Sequence, residues 1–147
     1  KEAKQMIDSY FEQYASIKAY MDDAIKKARK NGYVSTILQR RRYLKDINSN
    51  NAIVRGFAER NAINAPIQGS AADIIKLAMI NIQEQIEKEK FQSRMLLQVH
   101  DELVFDLLKE EQSDFMEMVK KEMEQAYELI VPLEVDMNAA GNWLEAH

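Results

Sequence analysis

Two adjacent carboxylates, Asp101 and Glu102, lie between two short apolar runs, as at the tip of a β-hairpin. Two-residue hairpin turns need positive φ and favour Asn-Gly, Asp-Gly or Gly-X, so His100-Asp101 suits such a turn poorly. A turn that departs from this preference is a candidate for function, because strain persists where it is used. Adjacent carboxylates also suit Mg²⁺, which proteins bind through one or two carboxylates together with water and substrate phosphate. From spacing alone, a metal site and an ordinary exposed polar turn are about equally good interpretations.

The histidine at this tip raises a second interpretation, a metal phosphohydrolase built on a histidine–aspartate cluster. Such a site needs further histidines, and the other one in the sequence is the last residue, His147. We therefore reject the interpretation as a metal phosphohydrolase. The chain has no cysteine, which excludes disulfides, zinc–thiolate sites and thiol catalysis within it.

A polar row, Arg60, Asn64 and Gln68, is spaced at four residues and so shares one face of a predicted helix. Guanidinium and amide groups suit the base edges of nucleic acid, and the minor groove offers them mostly acceptors. Spacing alone favours an ordinary polar helix face.

Charge is segregated along the chain. Eight basic residues and no acidic one lie between Lys26 and Lys45, and the cluster includes Arg40, Arg41 and Arg42. The overall net charge is −4. This value argues against nucleic-acid binding only if the charge is evenly spread along the chain. Taken alone, a solvated helix end followed by an exposed loop is the more common meaning of such a run.

Helices must position these groups. Apolar residues at steps of three and four from Met6 to Ala24 predict an amphipathic helix that runs to about Arg29 and ends at Asn31-Gly32. Residues 33–38 predict a short strand or extended loop, and residues 46–51 a turn. Helices are expected over 52–64 and 71–88. Pro66 predicts a break or kink between them, and the alternative is a single helix that continues across it.

The hydrophobic period then changes. Residues 95–99 and 103–107 predict the two strands of a hairpin. A helix over about 110–130 follows, with an apolar stripe from Phe115 to Ile130, and residues 133–137 alternate like a half-buried strand. This order predicts an α+β fold in which long helices pack on a small antiparallel sheet.

Length and composition are those of a globular domain or part of one: 147 residues, 46% apolar and 30% charged. No stretch is apolar enough to span a membrane and no signal peptide is visible, so we expect a cytoplasmic protein. The sequence begins with Lys1 rather than Met, inside a predicted helix, and we expect a piece of a longer chain.

Three long motifs, in order, resemble those of the bacterial family A DNA polymerases. Residues 97–103 (LQVHDEL) resemble the third polymerase motif, residues 58–76 the long palm helix before it, and residues 40–44 the arginine-rich segment between fingers and palm. Residues 142–147 resemble the family's C-terminal end. The resemblance implies residues 1–48 as a fingers-side helix and basic segment, and residues 49–147 as part of a polymerase palm whose catalytic hairpin spans 94–107.

The resemblance also implies roles for residues. Asp101 corresponds to a ligand of the two catalytic Mg²⁺ ions, Glu102 lies beside them with a lesser role, and His100 contacts the primer strand. Arg60, Asn64 and Gln68 correspond to residues on the minor-groove side of the primer-template. The implied reaction is attack of a primer 3′-hydroxyl on the α-phosphate of a deoxynucleoside triphosphate, stabilised by two metal ions.

The family's other metal-binding aspartate and its nucleotide-gripping fingers helix have no match in these residues. We therefore expect this chain alone to be inactive, with its two-ion site completed by residues outside it. Expected partners are primer-template DNA, deoxynucleoside triphosphates and the N-terminal part of the polymerase, with no membrane and with possible self-association through exposed palm surface. The alternatives are a non-catalytic duplex-DNA-binding α+β module and a purely structural domain. A binding module has no use for the acidic tip.

Overall fold

The computed structural model describes residues 2–146 and forms two compact units, one ending at Ser70 and the other beginning at Ala71. The expectations about Lys1 and His147 lie outside the described residues. Long helices and two antiparallel two-stranded sheets make up the chain, which confirms the predicted α+β class. The elements, in chain order, are α1 (Glu2–Gln13), α2 (Ala15–Asn31), β1 (Tyr33–Ser35), β2 (Arg41–Tyr43), α3 (Ala52–Glu89), β3 (Arg94–Val99), β4 (Glu102–Asp106), a 3₁₀ turn (Lys109–Glu111), α4 (Gln112–Glu124) and α5 (Trp143–Ala146).

The first unit has a small apolar core between α2, the β1–β2 hairpin and the start of α3. Its buried side chains are Ala28, Val34, Leu44, Ile47, Ala58, Ala62 and Ala65. Four of these seven are alanines, so the helices and the hairpin approach each other closely. Gly32 ends α2 in the left-handed region with φ of 77°, and its N–H donates to the Ala28 carbonyl at 2.8 Å. This confirms the predicted stop at Asn31-Gly32.

The single amphipathic helix predicted before this stop is wrong in one respect, because it is broken at Tyr14. Tyr14 has φ of −114° and ψ of 55°, and α2 starts anew from it. None of the described residues of α1 is buried, and Met6 is 74% exposed. Its apolar face therefore lacks the packing that normally holds a long helix straight and continuous.

Helix α3 runs through Pro66 without interruption for 38 residues. Of the predicted break or kink at this proline, the break is wrong, and the alternative of a continuous helix is confirmed. A proline inside a helix removes one backbone hydrogen bond and typically costs about 3 kcal/mol. Buried alanines on the preceding turns, Ala58, Ala62 and Ala65, pack the helix into the core and outweigh this local cost.

The second unit packs the β3–β4 hairpin on α4 and the end of α3. Phe115, Val119 and Ile82 are among its most buried side chains, and Phe105 and Met95 of the hairpin pack against them. The hairpin agrees with the prediction to within one residue at each strand end. One irregularity, a register shift between Met95 and Leu97, bends β3.

The predicted helix over 110–130 is too long, because α4 ends at Glu124. Ile130, expected in its apolar stripe, is fully exposed. The predicted strand at 133–137 is also absent from the described residues, although its burial alternates as expected and Met137 packs on the core of this unit. Periodicity indicates which side chains face a core, but a strand also needs a backbone partner, and here the Val135 N–H donates to the Glu124 carboxylate instead, at 3.2 Å.

No helix among residues 2–146 is both long and apolar enough to cross a membrane.

Two glycines of α3 provide a matched test of the contact between this helix and the β1–β2 loop. A Cβ added at Gly69 would lie 2.6 Å from Thr36 Cγ2, whereas at Gly56 it would meet only the Arg60 guanidinium at 3.9 Å. Glycine to alanine in a helix normally stabilises by about 0.5–1 kcal/mol. We expect that gain for Gly56→Ala and a loss of at least about 1 kcal/mol for Gly69→Ala, because the loop must move. Urea unfolding of both variants measures the difference, and equal effects would contradict the close approach.

Candidate functional site

The tip of the β3–β4 hairpin carries His100, Asp101 and Glu102, the three residues that the sequence analysis singled out. Val99 pairs with Glu102, which leaves His100 and Asp101 as the two-residue loop. His100 takes φ of 54°, in the region that favours glycine. The Gln98 side-chain amide donates to the His100 carbonyl at 2.7 Å and holds this turn. His100 thus takes the positive φ that such a turn needs, at a position where glycine is the preferred residue.

The Asp101 side chain is exposed at this tip, and Glu102 beside it is half-buried. An exposed carboxylate on a hydrogen-bonded turn suits a hard cation that keeps water and phosphate as its other ligands. Residues 2–146 contain no group of three or more histidine, aspartate or glutamate side chains placed to hold a metal ion. Asp101 and Glu102 by themselves would therefore supply only part of the ligands that Mg²⁺ needs.

The base of the same hairpin is closed by Glu111 and Ser93, which the sequence analysis missed. The Glu111 carboxylate accepts the backbone N–H groups of Gln92 and Ser93, each at 2.9 Å, and the Ser93 hydroxyl at 2.7 Å. The Ser93 Oγ in turn accepts the Leu108 N–H at 3.0 Å. We call these four residues the base clamp. Their spacing in the sequence does not predict this contact, because it depends on how the hairpin brings residues 93 and 111 together.

The base clamp favours a charged carboxylate. The Gln92 N–H lowers the pKa of Glu111 most, and the Ser93 hydroxyl and N–H lower it further, against an opposing effect of desolvation. Its ordinary pKa of 4.5 is therefore lowered. Because the folded-state pKa is depressed, the stabilisation is present above the ordinary value and is lost as the pH falls through the folded-state value.

The polar row of α3 is exposed along its length. Arg60, Asn64 and Gln68 lie on one uninterrupted helix, so the spacing of four places them on one face. The Arg60 guanidinium lies 5.9 Å from the centre of the Phe57 ring. The row therefore presents two amides and one guanidinium outward, all able to donate to acceptors.

The three consecutive arginines differ in their surroundings, although all are exposed. The Arg40 guanidinium donates to the Gly69 carbonyl at 3.1 Å, next to Gln68. Arg41 stacks over the Tyr33 ring at 4.5 Å. Arg42 pairs with Val34 through the β1–β2 ladder. The structure therefore places the Arg40 guanidinium beside the Gln68 end of the polar row.

The β1–β2 loop docks on α3 through hydroxyl groups that the sequence analysis also missed. The Ile37 N–H donates to the Ser70 hydroxyl at 2.9 Å, and that hydroxyl donates to the carbonyl of Pro66. The Thr36 hydroxyl accepts the Arg40 N–H at 3.2 Å. These bonds fix the basic segment to the helical turn that carries Gln68. A Ser one turn after a Pro inside a helix was the available signal.

Nearly the whole chain is similar to proteins of one known family. Residues 1–145 match the family described as DNA polymerase family A. DNA polymerase I of Lactococcus lactis subsp. lactis is 52% identical over 146 residues, that of Streptococcus pneumoniae serotype 4 is 53% identical, and that of Bacillus subtilis is 47% identical. The match covers 99% of this chain and 17% of the length of each of these relatives.

A solved structure is similar in fold as well as in sequence. It is described as the POL domain of Pol1 from M. smegmatis in complex with DNA primer-template and dNTP. The two superpose with a TM-score of 0.88 at 51% identity, over 90% of this chain and 24% of that one.

Proposed function

The chain belongs to DNA polymerase family A, and we propose that it forms the palm and part of the fingers of a longer, bacterial DNA polymerase of the polymerase I type. In this proposal residues 1–48 are the fingers-side helix and basic segment, and residues 49–147 are palm. The enzyme would extend a primer 3′-hydroxyl with deoxynucleoside triphosphates in replication and repair. The observation that carries the proposal is the exposed Asp101 carboxylate on a hairpin turn in which His100 takes a positive φ, within a chain that matches the family over residues 1–145.

Each group at the hairpin tip has a proposed task. Asp101 would hold Mg²⁺ together with ligands from outside this chain, as family A polymerases generally use that ion. Bound there, Mg²⁺ supplies stabilisation of the negative charge that develops on the attacking and leaving oxygens. Glu102 lies next to this ligand and keeps the local field negative. His100, exposed on the same turn, would contact the primer strand near its terminus.

The polar row of α3 and the arginines would hold the duplex. Arg60, Asn64 and Gln68 present donors suited to the acceptors that every base pair offers in the minor groove, so they hold DNA without reading its sequence. Arg40, Arg41 and Arg42 would contact phosphates. The bonds of the β1–β2 loop to Ser70 and Gly69 support a shared role, since they fix the basic segment beside Gln68.

The rest of the polymerase is a proposed partner of this chain. The exposed apolar side chains of α1, such as Met6 and Ile7, offer it a contact surface. The self-association expected for the isolated chain would use exposed apolar residues of the palm part, such as Ile53 and Phe57. The bacterial relatives support a cytoplasmic location.

A primer-extension assay tests the proposed function. The longer protein that carries these residues should incorporate the templated nucleotide when Mg²⁺ is supplied, and this chain alone should not, because it contributes only part of the metal site. The chain alone should still bind duplex DNA weakly, with log affinity falling against log salt by about 0.9 per phosphate contacted.

The same assay separates the alternatives. Salt-dependent DNA binding by a longer protein that never incorporates nucleotides would favour the non-catalytic duplex-binding module. Template-directed incorporation by this chain alone would contradict the proposed division of the active site.

A further inference from the structure

The base clamp connects both ends of the hairpin that carries Asp101. Gln92 and Ser93 precede β3, and Leu108 and Glu111 follow β4. One carboxylate accepts the two N–H groups at the entrance, and the Ser93 hydroxyl relays the contact to the Leu108 N–H at the exit. Ser93 is 1% exposed, so its N–H and hydroxyl have little access to water as a substitute partner, whereas Gln92 is exposed. Losing the carboxylate leaves donors unsatisfied at the point where the hairpin enters the fold.

The base clamp lies far from the tip of the hairpin. A small change of angle at the clamp therefore moves the tip by a large distance. Strands rise about 3.3 Å per residue, so the six steps from Ser93 to Val99 take β3 roughly 20 Å from the clamp to the tip. At that radius a tilt of about 3° at the base moves the tip by about 1 Å. Misplacement of a reacting group by about 1 Å can cost on the order of 10²-fold in rate.

Other contacts hold the hairpin less completely along its length. Met95, Leu103 and Phe105 pack on the second unit's core, but Leu96 and Leu97 are 58% and 41% exposed. A two-stranded hairpin is marginally stable by itself, and β3 and β4 form a two-stranded sheet among the described residues. The direction of the tip therefore depends on the packed half of the hairpin and on the clamp below it.

We propose that Glu111 is a positioning residue for the polymerase reaction: its carboxylate, through Gln92, Ser93 and Leu108, sets the direction of the hairpin and thereby the placement of Asp101. This inference rests on the proposed function. The group must be an acceptor for several donors at once, which a carboxylate provides and an amide provides only in part. The lowered pKa of Glu111 agrees with a charged acceptor at this place.

The test uses the longer polymerase with Glu111→Ala, Glu111→Gln and Ser93→Ala, and with Glu110→Gln as the matched control. Glu110 is an exposed neighbour in the same 3₁₀ turn, so its substitution removes the same charge outside the clamp. Single-turnover incorporation is measured per titrated active site, beside the dissociation constants for primer-template and nucleotide. We expect Glu111→Ala to lower the rate about tenfold, Glu111→Gln and Ser93→Ala to lower it less, and the control to change nothing.

A merely structural contact gives a different pattern. It would reduce the titrated fraction of active enzyme and leave the rate per site unchanged, which would overturn the proposal. Both dissociation constants should stay within about twofold of wild type. Hydrogen exchange supplies a readout besides activity: peptides covering residues 93–107 should exchange faster in Glu111→Ala, and peptides of α4 should not. Unchanged exchange in the hairpin would also overturn it.

Two outcomes separate this proposal from the function on which it rests. A wild-type longer protein that fails to incorporate nucleotides overturns the proposed function and the positioning role together. A wild type that incorporates nucleotides, alongside Glu111 variants of full rate per site, overturns the positioning role alone. If Glu111→Ala does not fold, the isosteric Glu111→Gln decides the question by the same readouts.

Discussion

Replacing Asp101 by asparagine in the longer polymerase should lower single-turnover incorporation by about 10³-fold or more, with primer-template affinity nearly unchanged. The side chain lies exposed on a turn, so the substitution removes charge without leaving a cavity or a broken core contact. A metal ion at a phosphoryl-transfer site contributes several kcal/mol, and each 1.36 kcal/mol is a factor of ten in rate. Rapid-quench measurement of one incorporation event, beside a DNA-binding titration, gives both numbers.

Asp106 provides the control for charge on the same hairpin. It lies at the other end of β4, is also exposed, and pairs with Arg94 at 3.5 Å. Such an exposed ion pair is worth at most about 1 kcal/mol, so Asp106→Asn should leave incorporation within about twofold of wild type. Equal incorporation rates in the Asp101 and Asp106 variants would contradict the assignment of Asp101 as a metal ligand. The proposed mechanism would then be wrong as well.

The chemistry-bearing hairpin was predictable because its signals are local. Two short apolar runs flank a polar pair, and a two-residue loop between them fixes the register, so the strand ends agree with the prediction to within one residue. The helical spacing of Arg60, Asn64 and Gln68 is equally local. It needed only the helix to continue past Pro66 for the three residues to share a face.

Two features that the sequence did not predict depend on packing or strand pairing rather than on local preference. Pro66 predicts a break, but the buried alanines on the turns before it hold the helix in place. The β2 strand, Arg41–Tyr43, has no apolar alternation. Its pairing with β1 places the ring centres of Tyr33 and Tyr43 5.8 Å apart. Such pairing depends on the partner strand, so the three residues alone do not indicate it.

The base clamp was not predictable for a related reason. Ser93 and Glu111 are 18 residues apart and belong to no shared periodicity. They meet only because the intervening residues form a hairpin whose two ends lie side by side. A sequence analysis that places the hairpin correctly can ask which polar residues flank it, but the choice among Lys109, Glu110 and Glu111 needs the geometry of the turn.

Phe115 is the residue whose loss should destabilise the second unit most. It is 2% exposed, and its ring packs edge-on against Phe91 and Phe105 with ring centres 5.3 and 5.4 Å away. Phenylalanine to alanine in a core typically costs about 3–5 kcal/mol, part of it from the cavity left behind. We expect Phe115→Ala to lower the opening free energy of the most protected amides of α4 and β4 by that amount. Native-state hydrogen exchange measures it within the longer protein.

Ile130 supplies the matched control, because the sequence pattern places it on the same apolar stripe as Phe115. The structure separates them, since α4 ends at Glu124 and Ile130 is fully exposed. Ile130→Ala should therefore change the same opening free energies by less than about 0.5 kcal/mol. A large loss for Ile130→Ala would contradict its exposed position beyond the end of α4. A small loss for Phe115→Ala would mean that the hairpin carrying Asp101 does not depend on this core. Because Phe105 of that hairpin packs directly on Phe115, we expect the exchange of β4 amides to rise together with that of α4.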